Sequence, residues 1–263
     1  MIISVASLKG GVGKTTTSVS LAAALAESGH RVLLIDLDPN GSASMSLGIR
    51  PGGLPRGIAD AMLRDSGMAE VIYPSRVENL DLIGSSVDLR HADLELEQLR
   101  RRDQVLRTAM APIVDQYDYI LLDCAPALNV VMRNALVASD GFVIPSMPHF
   151  LALEGIDQLV QAAERITWRS GHRCRFLGVV LTAVDYRVRA TRQRVAEIRE
   201  RFGTRVFAVE IRTNVSLAEA PALGQTVFQY APRSTGARAY RLLCDELMAQ
   251  APPGRGGSDA PKP

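Results

Sequence analysis

Residues 7–18 read SLKGGVGKTTTS. Gly13, Lys14 and Thr15 fill the closing places of the phosphate-binding pattern G-x-x-x-x-G-K-[ST], and Gly10 or a neighbouring glycine opens it. The context is the one this pattern needs. An apolar run from Ile2 to Ala6 precedes it as a strand, and a helical pattern from Thr15 to Glu27 follows. Glycines at 10, 11 and 13 permit the backbone angles that turn successive N–H groups inward, and the helix that follows adds its positive end. The predicted nest runs over Gly10, Gly11, Val12, Gly13, Lys14, Thr15 and Thr16. Lys14 would stand between the β- and γ-phosphates, Thr15 Oγ1 would ligate Mg²⁺, and Thr16 would donate to the α-phosphate. Lys9 is then a second lysine at the loop's mouth with no obvious use inside it.

The remainder of the chain reads outward from that loop. Short apolar runs at Val32 to Asp36, Leu80 to Ile83, Tyr119 to Asp123, Phe142 to Pro145, Leu177 to Ala183 and Val206 to Val209 alternate with helical patterns. The predicted helices are Met132 to Ala138, Leu153 to Trp168, Val188 to Phe202 and Gly236 to Ala249. Nearly continuous apolar strands are buried on both faces, so the expected class is α/β: one doubly wound, mostly parallel sheet flanked by helices. Such a P-loop NTPase domain is expected over residues 1–250. Residues 251–263, APPGRGGSDAPKP, hold four prolines and three glycines and read as a flexible tail.

A chain of 263 residues with 47% apolar content can bury a large core. Its net charge of +2 does not by itself announce a polyanion partner. Cys124, Cys174 and Cys244 have neither C-x-x-C spacing nor even pairing, which suits reduced thiols. Neither a charged leader nor 18 consecutive apolar residues occurs, so a cytoplasmic protein with no membrane partner is expected.

Three aspartates complete the expected nucleotide site. Side chains alternate along a strand, so Asp36 and Asp38 point the same way from the C-terminal end of a strand beside the loop. Asp36 is assigned to a Mg²⁺-bound water, and Asp38 to orienting the water that attacks the γ-phosphorus. Asp123 ends the run YDYILLD and would hold Mg²⁺ through water.

KGGVGKTT at 9–16, DLDPNGSAS at 36–44, DYILLDCAPAL at 118–128, FLALEGIDQL at 150–159 and NVSLAEAPALGQTVFQYAPRSTGARAY at 214–240 follow one another in order. Together they resemble the ParA branch of the ParA/MinD family of deviant-Walker-A ATPases, over nearly the whole chain. The resemblance implies ATP and Mg²⁺ as cofactors and an ATP-sandwich homodimer in which Lys9 reaches the partner's phosphates. Lys9, Lys14 and Asp38 then form the catalytic set. It also implies adenine contacts from Thr182 to Asp185 and from Arg212 to Pro221, with Asn214 and Pro221 as candidates. Arg212 departs from a proline common in relatives, His149 from a glutamate, and Ser216 from a basic residue.

Charge is unevenly spread. Residues 187–205 carry seven arginines against Glu197 and Glu200, a segment charge of +5 in a chain of +2. A helix there would turn Val188, Val195, Ile198 and Phe202 to the core and set solvent-facing rows of arginines on its flanks. Arg187, Arg189, Arg192, Arg194, Arg199 and Arg201 are the candidate DNA contacts, and Arg165, Arg169, Arg173 and Arg175 form a second cluster. By the resemblance, nonspecific DNA, a nucleoid location and a ParB-like or cargo-adaptor protein that stimulates weak hydrolysis are expected. Chromosome or plasmid partition is the expected task. Protein cargoes such as chemoreceptor clusters or carboxysomes are alternatives. A MinD-like septum selector would need a basic amphipathic C-terminal helix that the tail does not supply.

Overall fold

The computed structural model describes residues 1–253 except 51, 65 and 87. Its strands are β1 (Ile2–Val5), β2 (Val32–Leu37), β3 (Tyr73–Pro74), β4 (Leu80–Ile83), β5 (Tyr119–Cys124), β6 (Gly141–Ser146) and β7 (Arg175–Leu181). They form one sheet in the order β3-β4-β2-β5-β1-β6-β7. All pairings are parallel except that of β3 with β4. Helices of nine or more residues are α1 (Lys14–Glu27), α2 (Leu89–Glu97), α3 (Val130–Ala138), α4 (Ala152–Arg169), α5 (Arg189–Phe202) and α6 (Thr235–Gln250).

Every residue of β2, β5 and β6 is buried, because helices cover both faces of the sheet. Alternate strand residues feed two cores. Leu33, Ile35, Ile120 and Leu122 pack with α2, α3, α4 and α5 on one face, and Val32, Leu34 and Leu121 with α1 and α6 on the other. Helix α1 is buried from Thr17 to Ala26 without interruption, being wedged between the sheet and α6. Its small residues permit that close approach.

The expected strands and long helices appear with shifts of a few residues at their ends, with one exception. Val206–Val209 is not a strand: Val206 makes a single parallel bridge to Val179. Phe207 N–H still donates to the Val179 carbonyl at 3.0 Å, but the Glu246 carboxylate on α6 takes Ala208 N–H at 2.7 Å and Val209 N–H at 3.2 Å and so interrupts the ladder. The fold also runs past residue 250. Ala251 is buried, and its carbonyl accepts from Tyr119 Oη at 3.1 Å. The tail predicted beyond it falls mostly on residues 254–263, which lie outside the described residues. Among the described residues no helix is long and apolar enough to cross a membrane.

Candidate nucleotide site

Strand order places β1 between β5 and β6, and β2 next to β5, so the loop after β1 and the ends of β2 and β5 converge at one edge of the sheet. Gly13 is the N-cap of α1 at φ +81°. A side chain there would be strained and would also meet Thr182 at 3.7 Å. Thr182, just past β7, donates from Oγ1 to the Val12 carbonyl at 2.8 Å and pins the loop from outside.

Lys14 is buried, and its Nζ donates to the Lys9 carbonyl at 2.9 Å. Burial lowers its pKa, with Asp123 and Asp38 opposing. Lys9 follows another course. Its Cε lies 3.8 Å from the point that a Cβ on Gly155 of α4 would occupy, at the mouth of the site. Among the described residues it makes no ion pair.

The carboxylates sit side by side. Asp36 and Asp123 are register partners on β2 and β5, and both are 0% exposed. Asp123 accepts from Thr15 Oγ1 at 2.8 Å and from Ser18 Oγ at 2.7 Å. Asp36 accepts from the N–H and Oγ of Ser44, at 2.9 and 2.8 Å, and from Asp38 N–H at 3.2 Å. Asp38, more open, accepts from Asn40 N–H at 2.9 Å. Burial pushes Asp36 up to about 6 and Asp123 up to about 7, the Asp36 charge adding to the latter. The hydroxyl donors oppose both shifts. A buried anionic cluster of this kind is a place that a cation relieves.

Among the described residues no three His, Cys, Asp or Glu side chains could hold a metal ion by themselves. Mg²⁺ would therefore draw most of its ligands from phosphate and water, as this ion usually does, with Thr15 Oγ1 the direct protein ligand. Thr15 fits the task because its hydrogen goes to Asp123 while its lone pairs stay free.

A cleft of about 280 Å³ continues from the loop, lined among others by Gly13, Thr16, Thr182, Arg212, Asn214 and Tyr240. Asn214 does line it, but its side chain is also committed: Oδ1 caps Leu217 N–H at 3.3 Å and Nδ2 donates to Thr235 at 2.9 Å. Pro221 is not in this cleft; it lines a separate crevice of about 10 Å³ against α1. Arg212 lies over the Tyr186 ring at 5.6 Å. Burial, and then the Lys9 charge, lower the pKa of His149. The Cys124 thiol, buried among β-strand neighbours, is pushed up to about 12, which removes it as a nucleophile near neutral pH.

Ser18 and Ser44 carry no assignment from the sequence, and Thr182, expected as the start of an adenine-contacting segment, also pins the loop through its hydroxyl. Ser18 had a usable signal: it stands three residues after Thr15 on α1, so the two hydroxyls share a flank. Ser44 and Thr182 reach their partners only through the tertiary fold.

The arginine helix differs from expectation. Val188 precedes α5 and is 54% exposed rather than core-facing, while Val195 and Ile198 are buried as predicted. The flanking arginines are not free rows. Arg187 pairs with Asp185 at 2.6 Å, Arg194 with Glu197 at 2.6 Å, Arg199 with Glu210 at 2.9 Å and Arg201 with Asp157 at 3.1 Å. Arg194 also covers the Phe150 ring at 5.4 Å. Arg189 and Arg192 are without an ion pair among the described residues.

Comparison with known proteins finds relatives over nearly the whole chain. A family described as an AAA domain matches residues 1–174. The chain is 39% identical over 248 residues to the sporulation initiation inhibitor protein Soj of Bacillus subtilis, covering 94% of this chain and 98% of that one. It is 37% identical over 252 residues to the chromosome partitioning protein ParA of Myxococcus xanthus, covering 96% and 89%. Among solved structures, cobyrinic acid a,c-diamide synthase of Mycobacterium smegmatis, with bound ADP and magnesium, superposes with a TM-score of 0.82 at 29% identity over 95% of each chain. The chain belongs to the ParA/MinD family of P-loop ATPases.

Proposed function

We propose that the chain is an ATP-driven positioning switch for chromosome or plasmid partition. ATP closes a homodimer, the dimer binds DNA without sequence preference, and a partner protein releases it by stimulating hydrolysis. The observation that carries this reading is the division of labour between two lysines. Lys14 is buried and turned into its own loop, while Lys9 stands at the mouth without a carboxylate partner among the described residues. A cation placed there can offset repulsion between two facing triphosphates, which makes association depend on ATP. The relatives named for partition and for Soj support the same task.

Within one site, Thr15 and Asp123 would hold the metal side of the phosphates, Asp36 a metal-bound water, and Asp38 the attacking water. Bound Mg²⁺ supplies charge neutralisation along the phosphates. Lys14 and the N–H groups of the loop orient the γ-phosphate. The only arginine lining the cleft beside the loop among the described residues, Arg212, lies over the Tyr186 ring, so turnover without a partner is slow.

DNA retention by the purified protein with ATP, with ADP and without nucleotide tests the switch. ATP-dependent retention is expected, persisting in Asp38→Ala and absent in Lys14→Ala. Lys9→Ala should bind ATP yet remain monomeric by light scattering with a nonhydrolysable analogue. Retention that ignores nucleotide, or normal turnover by Asp38→Ala, contradicts the reading.

A further inference from the structure

We infer that Ser18 is a positioning residue for Mg²⁺ binding, acting through Asp123. The inference rests on the assignment of Asp123 to the metal side of the site. Asp123 is fully buried, so each oxygen needs a donor in a fixed place. Thr15 supplies one at 2.8 Å and Ser18 the other at 2.7 Å. Thr15 is itself the direct ligand candidate, so its hydroxyl is tied to the ion's position. Ser18 is not. It is fully buried one turn further along α1, and its Oγ lies 3.0 Å from the Lys14 carbonyl as well as 2.7 Å from Asp123.

A single hydroxyl hydrogen serves one acceptor well, and the shorter contact to a carboxylate takes it. Ser18 therefore sets the rotation of the Asp123 carboxyl group about its own axis. That rotation decides which lone pair of Oδ2 faces Thr15 and the metal side. Because α1 begins at the phosphate loop, the same helix carries the lysine, the ligand threonine and the hydroxyl that orients the carboxylate on β5. The arrangement makes one rigid body responsible for both phosphate and metal geometry.

Groups that orient a metal's ligands cost about 10–100-fold in metal affinity when removed. The test is nucleotide affinity of the full chain, measured with EDTA and then across a Mg²⁺ titration, for the parent, Ser18→Ala, Ser18→Thr and Asp123→Asn. Ser18→Ala should leave the EDTA affinity within about twofold and shift the Mg²⁺ needed for tightening by about 3–10-fold, less than a group that touches a direct ligand, since Ser18 acts through Asp123. Ser18→Thr, which keeps the hydroxyl, should restore most of the shift. In the Asp123→Asn background Ser18→Ala should have no further effect.

An unchanged Mg²⁺ dependence in Ser18→Ala, beside a changed one in Asp123→Asn, overturns the role of Ser18 alone. No change in Asp123→Asn overturns the metal assignment and this inference together. Equal weakening with and without Mg²⁺ also overturns it, since that is the mark of a merely structural serine. Should Ser18→Ala not fold, Ser18→Cys fills the site with a slightly larger group that is only a weak donor and must show the same selective loss.

Discussion

Asp123→Asn should stabilise the nucleotide-free protein, and by an amount that grows with pH. The carboxyl titrates near 7 in the fold against 3.8 in the open chain, mainly because burial opposes its charge. Holding that charge at pH 8, beside the buried Asp36, costs on the order of a few kcal/mol relative to the unfolded state. The sign follows from a pKa raised on folding: the stability this group contributes is whole below about pH 4 and is lost progressively as pH rises to about 7. Asparagine carries no such cost. It can accept from Ser18 through its oxygen and donate to Thr15 through its amide, so neither hydroxyl need be orphaned. Allowing for imperfect geometry, a net gain of roughly 1–3 kcal/mol is expected at pH 8. At about 2–4 °C per kcal/mol for a domain this size, melting should rise by several degrees. Thermal melts of parent and variant from pH 4.5 to 8.5, without Mg²⁺ or nucleotide, read the effect. The gap should widen up to about pH 7 and then level. A gap that is constant with pH, or a variant that melts lower at pH 8, would refute the claim that buried charge at Asp123 strains the empty fold.

Three further outcomes are expected. Lys14→Ala removes the buried lysine of the nest and should abolish measurable ATP binding by calorimetry. Thr182→Val keeps the shape but deletes the hydroxyl that holds the Val12 carbonyl, so ATP affinity should fall by about 5–10-fold, the worth of one hydrogen bond, in a fluorescent-nucleotide competition. Arg189→Ala with Arg192→Ala should flatten the slope of log DNA affinity against log salt by about 2 per subunit. The pair Arg194→Ala with Arg201→Ala, whose guanidinium groups already face carboxylates, should change it less.

What could be read from the chain divides along a physical line. The sheet was legible because a strand buried on both faces leaves an apolar run that no surface segment needs, and β2, β5 and β6 are such strands. The phosphate loop was legible because its chemistry is local: Gly13, Lys14 and Thr15 act within three residues of one another. Helix α2 and the edge strand β3 escaped because neither has a long apolar stripe: α2 buries only Leu89, Ala92 and Leu96, and β3 pairs only through Tyr73 and Pro74. Partners distant in the chain escaped for a different reason. Thr182 is 170 residues from Val12, and Arg201 is 44 from Asp157, so no spacing rule joins them. The consequence is largest for α5. Its sequence shows an excess of positive charge, and charge is additive, but availability is not. Once Asp185, Glu197, Glu210 and Asp157 take four of the guanidinium groups, a polyanion must either compete with those carboxylates or settle on Arg189 and Arg192. Exposed pairs are worth only about 0–1 kcal/mol, so competition is affordable for Arg187 and Arg201, which keep most of their surface in water. Arg194, packed over Phe150 with its side chain three-quarters covered, would give up an aromatic contact as well as its ion pair. DNA affinity should therefore be graded along α5, strongest in its dependence on Arg189 and Arg192 and weakest on Arg194, rather than uniform over the six arginines.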